Sequence, residues 1–154
     1  MTTVEEIMTT ELITLKASDS IEAARNVMAN HNIRHILIVD DDRVLVGLVT
    51  HRDVLAASLS KLDTVQDTQR TAFEAATSLK EIMTTELDVV SEKMNLREAA
   101  LRLQAHKYGC LPVVSHGTLK GIITDSDFVA VAINLLEQLD LIDPLAETSL
   151  EDDL

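Results

Sequence analysis

The sequence predicts a mixed α/β (α+β) fold built from two tandem copies of one β-α-β-β-α unit. Three observations predict it. The chain repeats itself; each copy alternates strand-like and helix-like apolar spacing in the same order; and its aliphatic composition suits helices laid on a small sheet.

The repeat is direct. Glu6-Ile7-Met8-Thr9-Thr10-Glu11-Leu12 recurs unchanged as Glu81-Ile82-Met83-Thr84-Thr85-Glu86-Leu87, an offset of 75 residues. The same offset aligns Ala24 with Ala99, His31 with His106, and Ile36-Leu37-Ile38-Val39 with Leu111-Pro112-Val113-Val114. One residue fewer in the following turn then aligns Gly47-Leu48-Val49-Thr50-His51-Arg52-Asp53 with Gly121-Ile122-Ile123-Thr124-Asp125-Ser126-Asp127. The chain thus divides into repeat 1 over 1–60, a linker over 61–78, repeat 2 over 79–139 and an acidic tail over 140–154.

Within each copy the elements follow from spacing. Residues 20–31 place Ile21, Ala24, Val27 and Met28 on one helical face, and residues 95–106 do the same with Leu96, Ala99, Ala100 and Leu103. Asn95 followed by Glu98 resembles a capping box. Apolar runs over 35–39 and 44–50 flank Asp40-Asp41-Asp42-Arg43, and runs over 110–114 and 119–124 flank Ser115-His116-Gly117-Thr118, which predicts one hairpin per copy. Helical spacing then resumes over 52–60 and 125–139. Residues 61–77 are mostly polar and lack Gly and Pro, so they read as a linker with helical character around 71–76. The tail carries six acids and no base, the composition of a solvated segment.

Composition narrows the partners. With 46% apolar residues the chain can bury one compact core, and with 2% aromatics that core is Ile, Leu, Val, Ala and Met. Thirteen Lys and Arg stand against 26 Asp and Glu, a net charge of −13, which opposes docking on nucleic acid or anionic lipid. A lone Cys110 forms no internal disulfide, no Cys/His cluster has zinc spacing, and no metal site is predicted. No apolar run reaches membrane-spanning length and the first residues have no leader-like pattern, so a soluble cytoplasmic protein is expected.

The pattern Gly-apolar-apolar-Thr-x-x-Asp has two physical readings. Its Thr falls where a strand ends and a helix begins, so the hydroxyl can cap free N–H groups while the Asp answers the helix dipole. Alternatively, the Asp carboxylate accepts bonds from both ribose hydroxyls while the Thr and helix start face a phosphate. The glycine inside the strand implies that a backbone or ligand comes close.

The two copies resemble CBS domains, which occur in pairs. The resemblance rests on the Ile-Met-Thr openings, the Ala-containing helices, the strands Ile33-Arg34-His35-Ile36-Leu37-Ile38-Val39 and Gly109-Cys110-Leu111-Pro112-Val113-Val114, and the two closing segments. It implies that the repeats pack sheet to sheet about a pseudo-twofold axis, leaving two clefts for AMP, ADP, ATP or S-adenosylmethionine as a regulatory ligand, with no other cofactor required. It further implies that Asp53 and Asp127 hold ribose and that Thr50 and Thr124 face phosphate. Copy one adds four groups suited to an anion, Arg34, His35, His51 and Arg52, whereas copy two has Gly109, Cys110, Asp125 and Ser126 at the same places. Copy one is therefore expected to favour a charged nucleotide, with Asp125 marking the less anionic side.

His31 and His106 recur at the ends of the first helices, where the dipole favours a cation. Cys110 reads as a small buried hydrophobe. No nucleophile–base pair or phosphate loop appears, which disfavours an enzyme. A ligand-sensing regulatory module acting on a partner protein, and a ligand-independent scaffold, are the competing functions. The last helix carries more apolar residues than one buried stripe needs, so a homodimer is expected.

Overall fold

The computed structural model describes residues 2–61, 67–106 and 109–142. Repeat 1 comprises α1 (Val4–Ile7), β1 (Thr14–Leu15), α2 (Ile21–His31), β2 (His35–Val39), β3 (Leu45–Thr50) and α3 (His51–Lys61). A further helix, α4 (Asp67–Ala76), and a 3-10 turn at Leu79–Glu81 lead into α5 (Leu96–Ala105), β4 (Cys110–Ser115), β5 (Thr118–Thr124) and α6 (Asp125–Ile142).

Local chemistry sets the first helix of each copy. Ser20 accepts the Ala23 N–H at 3.1 Å, Ile21, Ala24 and Met28 form the buried face, and Asn32 closes α2 in the left-handed region at φ 52°. In copy two Asn95 accepts the Arg97 N–H at 2.7 Å, and Glu98 pairs with Arg102 at 3.6 Å.

The sheets repeat with the same offset. β1 lies parallel to β2 through Leu15 and Ile38, and β2 is antiparallel to β3. In copy two β4 and β5 form the hairpin, and the first strand shrinks to a single parallel bridge from Val90 to Val113. Each hairpin is irregular at the same step, Ile38/Val39 and Val113/Val114. The turns differ: Asp40 Oδ1 accepts the N–H groups of Asp42 and Val44 in one, whereas His116 and Gly117, at φ 52° and 78°, make a tight two-residue turn in the other.

The opening segments are exchanged between the repeats. Thr9 and Ile122 trade backbone hydrogen bonds at 2.9 and 3.0 Å, and Thr84 and Leu48 do the same at 2.9 and 2.9 Å. Val4 accordingly lies in the core of repeat 2 with Leu96, Leu111 and Ile123, while Leu79 lies in the core of repeat 1 with Ile21, Ile36 and Val49. This explains the strand glycines. A side chain at Gly121 would meet Met8 Sδ at 2.7 Å and the Thr9 carbonyl at 2.9 Å, and one at Gly47 would meet Met83 Sδ at 2.7 Å. What comes close is the other repeat's opening segment.

Two segments differ from expectation. The linker holds a ten-residue helix whose Phe73 packs on the repeat 1 core and whose Glu74 is 2% exposed. Arg25 Nε donates to both Glu74 oxygens at 2.9 and 3.1 Å, and the Ser58 hydroxyl lies 2.7 Å from Glu74 Oε1. Burial alone would push the Glu74 carboxyl up, but hydrogen bonds from Arg25 and Ser58 and the charges of Arg25 and Arg70 outweigh it and hold it below the ordinary value. At the other end α6 begins at Asp125 and runs through residues 140–142, which the sequence pattern assigns to the tail; residues 143–154 lie outside the described residues. No helix among the described residues is long and apolar enough to cross a membrane.

Candidate functional site

Both closing motifs sit at a strand-to-helix junction. Thr50 ends β3 and His51 opens α3; Thr124 ends β5 and Asp125 opens α6. Each junction is tied to the loop entering its hairpin, through His51 N to the Arg34 carbonyl at 2.8 Å and Asp125 N to the Gly109 carbonyl at 3.3 Å.

The capping bonds form, and they leave the two aspartates in different states. In copy one Thr50 N donates to Asp53 Oδ2 at 2.8 Å, and Asp53 N donates back to Thr50 Oγ1 at 3.1 Å. In copy two Asp127 Oδ2 accepts Thr124 N at 2.8 Å and lies 3.3 Å from Thr124 Oγ1. Its second oxygen, Oδ1, accepts the Thr9 hydroxyl at 3.1 Å, across the repeat boundary. One Asp53 oxygen is thus engaged by these bonds, against both of Asp127.

All nine candidate residues, Thr50, His51, Arg52, Asp53, Thr124, Asp125, Asp127, Arg34 and His35, line one continuous cleft of about 1310 Å³. The exchanged openings and both junctions border it. Its middle lies where the copies meet, since a side chain on Gly109 would stand 3.3 Å from Asp125 Oδ2 and 3.7 Å from His35 Nε2. Arg34, His51 and Arg52 are exposed, while Thr50, Asp53, Thr124 and Asp127 are half-buried. The cleft is therefore cationic on the copy one side and small and acidic at Gly109 and Asp125.

Thr9 and Thr84 also line the cleft, outside the two closing motifs. Their signal was present: both belong to the heptapeptide that recurs unchanged, and that identity carries no hint of which sheet it borders. Cys110 is buried, and burial, with the charge of Asp125 adding, pushes its thiol up to about 12, far from a thiolate nucleophile. His106 Nε2 lies 2.7 Å from Asp88 Oδ2, a structural pairing at the end of α5; His31 is exposed in the last turn of α2. Among the described residues no cluster of three His, Cys, Asp or Glu could hold a metal ion.

The model of the CBS domain family matches residues 4–60 and 79–134. The chain belongs to the CBS domain family. This CBS pair is 44% identical, with a TM-score of 0.80, to a Vibrio cholerae protein assigned to acetoin utilization (AcuB), covering 91% of this chain and 98% of that one. CBSX2, a CBS-pair protein of Arabidopsis thaliana, has been solved with AMP; that complex is 29% identical at a TM-score of 0.73, covering 88% and 98%. The CBS domain pair of MJ0100, solved with 5′-methylthioadenosine and S-adenosylmethionine, is 27% identical at a TM-score of 0.72, covering 87% and 98%. Among curated relatives, the uncharacterized protein MJ1225 of Methanocaldococcus jannaschii is 32% identical over 126 residues, 82% of this chain and 41% of that protein. The CBS pair thus spans about two fifths of that relative's length.

Proposed function

We propose that this CBS pair is a non-catalytic regulatory module that binds an adenosine-containing ligand, AMP, ADP, ATP or S-adenosylmethionine, along the cleft and communicates occupancy to a partner protein. The observation that carries this reading is the convergence of both Thr-x-x-Asp motifs and four groups suited to an anion on one cleft, with an Asp53 oxygen left over from the capping bonds. Ligands of this class in CBSX2 and MJ0100 support it.

In this reading Asp53 accepts the ribose hydroxyls, and Thr50 with the start of α3 faces the phosphate. Arg34, His35, His51 and Arg52 compensate the phosphate charge. The side bordered by Thr124, Asp125 and Asp127 takes the less anionic end of a ligand, because Asp125 repels phosphate and Thr9 already occupies Asp127 Oδ1. The module works as a homodimer, since α6 leaves a row of leucines in solvent. The assignment of the Vibrio cholerae neighbour directs the search for a partner toward acetoin utilization.

The test is calorimetric titration of the chain with AMP, ATP and S-adenosylmethionine. At least one gives saturable binding if the sensor reading holds. If none does, the bonds between Thr50 and Asp53 are caps and nothing more, and the module is a ligand-independent scaffold.

A further inference from the structure

The recurring opening threonines meet the two motif aspartates differently. Thr9 and Thr84 hold equivalent backbone places, each trading a pair of hydrogen bonds with the other repeat's last strand, at Ile122 and Leu48. Those partners precede Thr124 and Thr50 by the same two residues. The Thr9 hydroxyl donates to Asp127 Oδ1 at 3.1 Å, whereas among the described residues Thr84 makes no such bond to Asp53. The motifs themselves also differ. Asp53 N donates to Thr50 Oγ1 at 3.1 Å, while the Thr124 hydroxyl instead lies 3.3 Å from Asp127 Oδ2.

These bonds decide how much of each carboxylate remains for a ligand. A carboxylate offers about four lone-pair sites on its two oxygens, and the cis-diol of a ribose takes about two of them. Asp127 accepts Thr124 N at 2.8 Å, Thr124 Oγ1 at 3.3 Å and Thr9 Oγ1 at 3.1 Å, which leaves about one site. Asp53 accepts Thr50 N at 2.8 Å, which leaves about three. A diol therefore fits on Asp53 as it stands, and on Asp127 only after a donor leaves. Of the donors to Asp127, Thr9 alone comes from outside its motif.

We propose that the Thr9 hydroxyl closes Asp127 to ribose, so that the chain seats the ribose of its ligand on Asp53 alone. This rests on the ribose reading of the cleft given above and assigns its occupancy. Thr9 is held in place by its backbone bonds to Ile122 at 2.9 and 3.0 Å, and a β-branched side chain so fixed has few rotamers in which to turn away. A ribose that displaces the hydroxyl forfeits a hydrogen bond to a charged group, a loss of about 10- to 150-fold in affinity. Two threonines of identical local sequence thus act differently, one as a plug and the other as an open wall.

The experiment is calorimetric titration with adenosine, which carries the diol and no phosphate for Asp125 to repel. Thr9→Val keeps the β-branched shape and both backbone bonds, and is expected to bind one adenosine per chain more than wild type, at least about tenfold tighter than any further adenosine on wild type. Thr9→Ala removes the same hydroxyl without adding a methyl and is expected to show the same gain. Thr9→Ser retains the hydroxyl and the wild-type count, and Thr9→Val combined with Asp127→Ala loses the added site. A wild-type chain that binds two adenosines, a count unchanged in both Thr9→Val and Thr9→Ala, or an added site that survives Asp127→Ala overturns the proposal and leaves the cleft reading standing. Chains that bind neither adenosine nor AMP overturn the ribose reading itself.

Discussion

Replacing Gly121 by alanine tests the exchange of opening segments where it is tightest. The added Cβ would stand 2.9 Å from the Thr9 carbonyl and 2.7 and 3.1 Å from Met8 Sδ and Cγ. An ordinary C···O contact is about 3.3–3.6 Å, so the approach to the carbonyl is about half an ångström too close, and that carbonyl is fixed by the Ile122 N–H at 3.0 Å. Overpacking of this kind costs about 1–3 kcal/mol. Gly47→Ala is the matched control. Its Cβ would meet Met83 alone, at 2.7, 3.1 and 3.3 Å from Sδ, Cγ and Cβ, and a thioether can rotate away where a carbonyl cannot. The roughly 0.5–1 kcal/mol that alanine gains over glycine in a strand then offsets most of the cost, leaving Gly47→Ala near neutral. Urea denaturation of the three proteins reads both changes. Equal stability of the two variants, or a Gly121→Ala chain as stable as wild type, would refute the exchanged packing.

Further predictions concern the buried network and the thiol. Glu74→Ala strips Arg25 and Ser58 of their partner and is expected to cost about 3 kcal/mol in chemical denaturation, as breaking a buried pair does. Because the folded Glu74 carboxyl titrates below the ordinary carboxylate value, its stabilisation is complete at neutral pH and is lost as the pH falls through the folded value. Glu74→Gln should therefore flatten the acid limb of stability against pH below about 4.5; an unchanged limb contradicts the assignment. Cys110, with its thiol held at about 12, is expected to resist a thiol reagent in the native protein at neutral pH and to react on unfolding. Rapid native labelling would show that the site opens.

Much of the architecture was legible because it is local. The hairpins fall within a residue of the apolar runs, and the Thr-x-x-Asp motifs lie at strand-to-helix junctions, as capping chemistry requires. What was hidden depends on distant partners. Nothing in Glu6–Leu12 distinguishes pairing with its own repeat from pairing with the other, yet Thr9 bonds to Ile122 and Asp127. Glu74 looks like one more solvated acid until α4 brings it onto Arg25. In the cleft, the motif residues were readable and the place of Thr9 and Thr84 beside them was not, because that depends on which repeat each opening segment borders.

The most direct test of the account is AMP affinity, measured by calorimetry for wild type, Asp53→Ala and Asp127→Ala. A hydrogen bond to a charged group is worth about 1.5–3 kcal/mol, so Asp53→Ala is expected to weaken binding by about 10- to 150-fold. Asp127→Ala, whose carboxylate already serves Thr9 and Thr124, is expected to change it less. Undiminished AMP binding by Asp53→Ala would contradict the account.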